Sequence, residues 1–216
     1  MTQPNRSELC DSPREELASS VTHGVGVALS IAALVGMLLA AKGEPYKVVS
    51  ASVFGGTLIL LYLSSTLYHA FSGPRVKALF QLFDHACIYL LIAGSYTPLT
   101  LVSLRGPWGW SLLCVVWFLA LAGVIIKSFF ASKKDHWIST VLYIAMGWIA
   151  IIAIGPMMKT LAPAGIAWLV AGGLCYTLGT IFFAWRKLPY NHAIWHLFVL
   201  AGSGCHVAAV SLHILR

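Results

Sequence analysis

The sequence predicts an all-α membrane protein, a polytopic bundle of seven transmembrane helices. Two observations carry this prediction. Hydrophobic residues make up 59% of the 216 residues and charged residues only 10%, whereas about a quarter of the residues in a soluble domain are charged. In addition, seven apolar runs reach roughly the 20 residues that a helix needs to cross the hydrocarbon core of a bilayer.

The seven runs follow one another with little chain between them. Their limits are 21–41, 49–70, 82–104, 108–127, 136–155, 163–185 and 192–214. Connections such as "KGEPYK", "SGPRVK", "SLRGPW" and "RKLPYN" contain the Gly and Pro residues that favour turns. We therefore expect a single domain over 1–216, with a short polar segment over 1–20. That segment has no basic start and no small-residue cleavage pattern, so no removable signal peptide is expected.

The formal net charge is +7, and the basic residues lie in the connections. There they favour anionic lipid headgroups and set the membrane topology, so we expect no nucleic-acid partner. Nine lie on the side of the N-terminus: Arg6, Arg14, Arg75, Lys77, Lys127, Lys133, Lys134, Arg186 and Lys187. Five lie on the opposite side: Lys42, Lys47, Arg105, Lys159 and Arg216. Because cytoplasmic loops are rich in Lys and Arg, we expect the N-terminus in the cytoplasm and the C-terminus outside.

Four ionisable residues fall at one depth near the expected cytoplasmic end. Asp84 is the one acidic residue of the seven that lies in an apolar run rather than in a tail or connection. His69 ends the second run, Asp84 begins the third, and His192 and His196 begin the seventh. Ionisable groups at membrane depth are costly and by default indicate function. Their convergence from three helices predicts a site at this depth.

The residue types at this depth suit a metal ion. His192 and His196 share a helical face, and with His69 they supply the three neutral nitrogen ligands typical of catalytic zinc. Asp84 can balance the charge and hold or deprotonate a water molecule. Ser65, one turn before His69, can donate a hydrogen bond to an oxyanion. Since no H-E-x-x-H motif places a base on the seventh run, we predict a Zn²⁺ site with Asp84 and Ser65 as catalytic candidates.

Other interpretations of these residues stay open at this stage. The histidine pair can be interfacial, and Asp84 can pair with a basic residue of a connection. Cys87, one turn after Asp84, can supply a fourth ligand and make the metal site structural. Near the start, "EELASSVTHGVG" places Glu16 and His23 at the beginning of the first span. The helix dipole accounts for an acidic residue there; the alternative role is to orient a ligand imidazole.

The remaining histidines and the cysteines give weaker signals. His85 points about 100° away from Asp84 around the helix and is interpreted as a packing or headgroup contact. His206 lies ten residues beyond His196, about 15 Å along the axis, too far to bind the same ion. We expect it to form a hydrogen bond inside the bundle. The cysteines show no paired spacing and are interpreted as packing residues: Cys10, Cys87, Cys114, Cys175 and Cys205.

The motifs resemble those of a known family over essentially the whole chain. "EELASSVTHGVG", "SSTLYHAF", "FDHACIYLLIAGSYTP" and "PYNHAIWHLFVLAGSGCHVAAV" occur in this order. Their S-x3-H, aspartate and H-x3-H resemble the hemolysin III branch of the progestin and adipoQ receptor (PAQR) family. The resemblance implies a seven-helix protein of the bacterial inner (plasma) membrane, with a cytoplasmic N-terminus and a zinc site near the cytoplasmic side.

The resemblance also implies roles for individual residues. The family's ligand histidines correspond to His69, His192 and His196. Its aspartate, which contacts zinc through water, corresponds to Asp84, and its serine to Ser65. The related alkaline ceramidases imply amide hydrolysis within the membrane.

The chain departs from the family pattern at one place. Bacterial members usually have E-x-x-N near the start, whereas here Ser19 takes the Asn position after Glu16. This departure leaves the zinc ligands intact but leaves the role of the N-terminal motif open.

These observations lead to the hypothesis of a zinc-dependent intramembrane hydrolase that acts on a lipid amide. Membrane lipids are the expected partners, with a lipid amide or a free fatty acid as ligand whose chain passes between helices. One alternative is a membrane-perturbing or transport protein, as the name hemolysin suggests, although no run carries a polar stripe along its full length. Another is a lipid sensor with a structural zinc.

Overall fold

A computed structural model of the chain describes residues 12–130 and 136–216. Within these ranges, seven helices are long and apolar enough to cross a membrane. They are α1 (Pro13–Ala41), α2 (Pro45–Ala70), α3 (Pro74–Ser103), α4 (Pro107–Phe129), α5 (Trp137–Thr160), α6 (Pro163–Ala184) and α7 (Asn191–Ile214). The predicted all-α bundle of seven transmembrane helices is confirmed, and the chain is a multi-pass membrane protein. Cys10 and the basic residues Arg6, Lys133 and Lys134 lie outside the described residues.

The helices end close to where the sequence predicts, but two of them begin much earlier. α1 begins at Pro13 rather than at 21, and α3 begins at Pro74 rather than at 82. Proline suits the first position of a helix because its φ is already helical and the N–H that it lacks would have no partner there. Polar first turns lower the hydropathy of a segment without opposing helix formation. The expected polar segment over 1–20 is therefore helical from Pro13 onward.

Short connections make successive helices antiparallel. Between α1 and α2, for example, the chain turns at Lys42 and Gly43 with positive φ angles of 49° and 76°. One end of the bundle, which we call the proximal end, therefore gathers the starts of α1, α3, α5 and α7 with the ends of α2, α4 and α6. We call the opposite end distal. Which end faces the cytoplasm stays a prediction.

Six of the described helices form a closed ring, and α4 packs against one of them, α3. α1 packs on α2, α2 on α3, α3 on α4 and α5, α5 on α6, α6 on α7, and α7 returns to α1. α2 is well buried, with Phe54, Leu58 and Tyr62 in the core. Gly26 of α1 allows the close approach of these two helices, since a Cβ atom there would lie 2.6 Å from the Tyr62 ring.

α5 is interrupted near its middle, next to the interior of the ring. The segment Ile149–Ala153 is a 3-10 helix, which leaves local backbone groups in need of partners. The hydroxyl of Tyr96 on α3 accepts a hydrogen bond from the Ala150 N–H at 2.9 Å. It also lies within hydrogen-bonding distance of the Met146 and Gly147 carbonyls. A single α3 side chain thus stabilises the irregular part of α5.

Candidate metal centre

Three buried histidines meet at the proximal end. His69 lies in the last turn of α2, and His192 and His196 lie in the first turns of α7. Their exposed fractions are 4%, 4% and 1%, respectively. The ring centroids are between 4.5 and 5.1 Å apart, and one nitrogen from each ring lies within 4.8 Å of the others. Among the described residues, this group, which we call the histidine cluster, can hold a metal ion.

Local contacts fix the beginning of α7, which carries two of the three histidines. Tyr190 adopts a left-handed conformation with a φ of 58°, and its N–H donates to Glu15 Oε1 of α1 at 2.7 Å. The Asn191 side-chain amide donates to the carbonyls of Phe182 and Phe183 at the end of α6. The two Asn191 bonds satisfy helix-end carbonyls of α6, and together with the Tyr190 bond they hold the start of α7 against α1 and α6.

Glu16 on α1 orients the His69 imidazole. Its Oε2 lies 2.7 Å from His69 Nδ1, and its Oε1 lies 2.9 Å from Lys77 Nζ of α3. An ionised carboxylate can only accept hydrogen bonds, so Nδ1 carries the proton and Nε2 carries the lone pair that a metal requires. The structure thus favours the alternative role of Glu16, the orientation of a ligand imidazole, over a simple helix-dipole contact.

His196, like His69, is oriented by a residue of α1. Its Nδ1 lies 3.1 Å from the Ser19 carbonyl, which again leaves Nε2 as the nitrogen with the lone pair. Because Ser19 contributes its backbone oxygen, the serine found at the family's Asn position does not remove this contact. The His23 ring stacks on His196 with a centroid distance of 3.4 Å and an angle of 9°, and it meets the Tyr62 ring edge-on at 4.9 Å.

His192 gives the observation that tests whether the cluster fits a metal. Both of its ring nitrogens are buried, and neither has a hydrogen-bond partner among the described residues. A buried imidazole without partners is costly, and a bound ion would remove that cost at one nitrogen. Three neutral imidazoles, two of them with a fixed tautomer, are a donor set that divalent transition metals prefer. The residues present therefore fit a metal ion.

Asp84 and Ser65 lie beside the cluster but are not part of it. Both are buried, and Asp84 lines an interior cavity together with His192 and His196. Ser65 lies close to the Asp84 carboxyl, and no described residue forms a hydrogen bond with Ser65 Oγ. Because α3 begins at Pro74, Asp84 lies about three turns inside the helix and not at its start as predicted.

Cys87 is buried one turn beyond Asp84 but does not belong to the histidine cluster. The geometry therefore gives no support to Cys87 as a fourth ligand. The described cysteines are free, as expected for packing residues: Cys87, Cys114, Cys175 and Cys205.

An interior cavity of ≈ 210 Å³ extends from the cluster into the bundle between α3, α5, α6 and α7. Asp84 and His192 line its proximal part, and Leu99 lines its distal part. Two residues that the sequence analysis assigned elsewhere also line it. Lys127, expected to be a basic residue of a connection, is buried in the wall, and so is His85, for which a packing contact or a headgroup contact was expected.

The comparisons with known proteins agree with this architecture. A sequence model of the family described as "Haemolysin-III related" matches residues 12–207. The chain belongs to this family. Hemolysin-3 of Bacillus cereus is 48% identical over 204 residues, which cover 94% of this chain and 93% of that protein. Hemolysin-3 homolog of Bacillus subtilis (strain 168) is 45% identical over 205 residues, with 94% and 96% covered.

A mammalian relative extends the comparison. The human monocyte to macrophage differentiation factor is 30% identical over 210 residues, which cover 94% of this chain and 85% of that protein. The match to the haemolysin-III related family spans every helix that contributes to the histidine cluster. The predicted resemblance to the hemolysin III branch is therefore confirmed.

The sequence left open whether His23 of this haemolysin-III related protein belongs to the site, although a signal for its position exists. The buried residues of α1 include Ser19, His23, Gly26 and Ser30, which recur at intervals of three and four residues. Such spacing defines one helical face, and on a lipid-exposed helix a polar face points inward. Glu16 begins this face, so the pattern could have placed both Glu16 and His23 at the site.

Proposed function

We propose that this protein is a zinc-dependent hydrolase that cleaves amide bonds of long-chain lipids within the bacterial plasma membrane. The observation that carries the proposal is the position of the histidine cluster and Asp84 at one end of a long, mainly apolar cavity. Three imidazole ligands are the donor set of many catalytic zinc sites, in which the fourth position stays open. The ligands would be His69, His192 and His196.

The cavity supports a lipid as substrate. Asp84 and Leu99 both line it, and their separation of fifteen positions in the chain corresponds to about 22 Å of helix. Ile151 and Ile154 of α5 and Val170 of α6 line it as well, yet their exposed fractions are 60%, 41% and 41%. Side chains that face both the cavity and the outside indicate an opening between α5 and α6. An acyl chain could thus reach the cluster without leaving the membrane.

The groups around the cluster have distinct tasks in this proposal. When bound, zinc supplies a Lewis acid that polarises the amide carbonyl and activates water. Asp84 takes the proton from the attacking water and passes it to the amine nitrogen as the C–N bond breaks. Ser65 donates a hydrogen bond to the oxygen that gains charge. The products are a free fatty acid and an amine.

Zinc content and hydrolysis test the proposal together. Purified wild-type protein is expected to hold near-stoichiometric zinc and to cleave a ceramide-type amide. His192→Ala should lose the zinc, whereas His213→Ala, on the same helix at the distal end, should retain it. Asp84→Asn should keep the zinc but lower turnover about 10²- to 10⁴-fold, and Ser65→Ala about 10²- to 10³-fold. Wild-type protein without zinc, or unchanged turnover in Asp84→Asn, would contradict the proposal.

The name of the Bacillus cereus relative, Hemolysin-3, favours one alternative function, the perturbation of membranes. Dye-filled liposomes distinguish the two functions. Leakage that is caused by the wild type and persists in both His192→Ala and Asp84→Asn would favour the alternative. Leakage that is absent, with amide cleavage present, would favour hydrolysis.

A further inference from the structure

α5 carries no side chain at the centre of the face that lines the interior cavity. Gly147 lines this cavity, and so do the residues one turn before and one turn after it, Tyr143 and Ile151. Residues three or four positions apart lie on one face of a helix. A Cβ atom added at Gly147 would meet no neighbouring atom within 4 Å. The face of α5 around Gly147 therefore borders open space inside the bundle.

Two contacts with α3 fix the depth of Gly147. The Tyr143 hydroxyl donates to the His85 carbonyl at 2.9 Å, and Gly147 lies one turn, about 6 Å, farther along α5. The Gly147 carbonyl lies 2.8 Å from the Tyr96 hydroxyl, and Tyr96 lies twelve residues beyond Asp84 on α3, about 18 Å along the helix. Gly147 is therefore roughly halfway between the level of Asp84 and the distal end of the cavity.

The part of the cavity beyond Gly147 is suited to hydrocarbon. Leu99 of α3, Ile154 of α5 and Ile166 of α6 line it there. Leu99 is buried, and Ile166 packs against the apolar core of the bundle. An apolar ligand segment that passes Gly147 would thus be surrounded by aliphatic side chains from three helices.

Two polar residues in this part of the wall have their partners within the bundle. Tyr176 shares a hydrogen bond of 2.8 Å with Ser203. A Cβ atom at Gly172 of α6 would overlap the His206 ring, so this ring is directed toward α6. The Leu169 carbonyl lies beside the ring and is its partner inside the bundle. A ligand segment at this depth therefore needs no polar group.

We infer that Gly147 sets which acyl chains the cavity accepts, because its missing side chain lets a chain pass from the histidine cluster into the distal half. An extended chain advances about 1.2 Å per bond, since the three backbone bonds of an extended residue span about 3.3–3.6 Å. About ten carbons then reach Gly147, and about 18 fill the roughly 22 Å between the levels of Asp84 and Leu99. The ligand class is a lipid with an unsubstituted acyl chain of about 12 to 18 carbons. The inference rests on the lipid-binding part of the proposed function, but it does not require hydrolysis.

Gly155 provides a matched control on the same helix. A Cβ atom there would also meet no neighbouring atom within 4 Å, but Gly155 is not among the described residues that line the cavity. Ile152 and Met158, three positions before and after it, are 64% and 69% exposed, so this face of α5 points toward the lipid. The side chain added in Gly147→Leu should therefore project into the cavity, whereas that added in Gly155→Leu should project into the lipid.

Direct binding of two fatty acids, octanoate and octadecanoate, tests the inference. Each radiolabelled acid is titrated onto the purified full-length protein in the same detergent. Gly147→Leu should weaken the binding of octadecanoate about tenfold or more, since its side chain takes space that the long chain needs. Octanoate ends before Gly147, so its Kd should stay within about twofold of the wild-type value. Gly155→Leu should leave both Kd values within about twofold.

Three results would overturn the inference. They are unchanged binding of octadecanoate in Gly147→Leu, equal weakening of both acids in that variant, and the same selective loss in Gly155→Leu. Gly147→Ala should show a smaller selective loss, and it decides the question should Gly147→Leu not fold. Its thermal unfolding should be unchanged or improved, since alanine favours a helix over glycine.

The same samples separate this inference from the proposed function. Zinc content and amide cleavage are measured on each. Zinc and cleavage in the wild type, with octadecanoate binding unaffected by Gly147→Leu, would overturn the role of Gly147 alone. The selective loss of octadecanoate binding in a protein without zinc would overturn the hydrolase and leave the role of Gly147 standing. If neither acid binds to the wild type, the cavity does not take acyl chains and the inference fails.

Discussion

Glu16 Oε2 lies 2.7 Å from His69 Nδ1, which joins the first turns of α1 to the last turn of α2. The other oxygen of the same carboxylate lies 2.9 Å from Lys77 Nζ of α3. One mostly buried carboxylate thus connects three helices around an imidazole of the cluster. Its charge is balanced by Lys77, so it can stay ionised and hold one tautomer of His69.

Replacement of Glu16 should weaken metal binding although Glu16 is not a ligand. We expect Glu16→Ala to lower zinc affinity about 10- to 100-fold, the usual cost of removing the partner of a ligand histidine. Glu16→Gln keeps an acceptor oxygen and should lose less. Lys77→Met is the control, since it removes the ion pair but not the bond to His69. Competition with a chromogenic chelator measures the affinities; wild-type affinity in Glu16→Ala would refute the orienting role.

Cys87→Ser should leave the zinc content unchanged, because Cys87 is buried beside the site but lies outside the histidine cluster. His69→Ala, purified in parallel, should lose its zinc. Elemental analysis of both variants makes the comparison. Loss of zinc from Cys87→Ser would mean that the sulfur closes the coordination sphere, and the site would then be structural and not catalytic.

Two glycines of α1 provide a matched test of the α1–α2 contact. A Cβ atom at Gly26 would lie 2.6 Å from the Tyr62 ring, whereas one at Gly24 would lie 3.8 Å from its nearest neighbour, Thr66 Cγ2. We expect Gly26→Ala to lower the free energy of unfolding by about 1–3 kcal/mol through overpacking. Gly24→Ala should be neutral or stabilising, by up to about 1 kcal/mol, from helix propensity. Thermal unfolding in detergent compares them, and equal Tm values would refute the close contact.

Much of this fold follows from the sequence because hydropathy over a span is a local property. Each of the seven helices was predicted in order, and their ends fall near the predicted positions. The starts of α1 and α3 were misplaced because the polar turns after Pro13 and Pro74 were interpreted as parts of the connections. Proline before a polar turn marks a helix start, so greater weight on Pro13 and Pro74 would have corrected both boundaries.

The sequence predicted the depth of the candidate site in the membrane but not its side-chain contacts. His69, His192 and His196 could be placed at the same end because antiparallel helices with short connections fix the depth of each residue. The roles of Glu16 and His23 were left open, although the polar face of α1 that carries both residues indicates which side of this helix points toward the site. The burial of Lys127 could not be predicted, because a lysine at the end of an apolar run is interpreted as a topology determinant whether it faces the lipid or the interior.

The sequence by itself determined the seven spans, their alternation and the depth at which three histidines and an aspartate gather. These features depend on the length and hydropathy of consecutive residues, because a segment that crosses the lipid must be apolar and must satisfy its own backbone hydrogen bonds. The tertiary structure alone decided which helical faces meet. It set Glu16 and Ser19 against the ligand imidazoles and placed Cys87 outside the cluster. Those contacts arise from side-chain packing between helices that are distant in the chain, which no local pattern encodes.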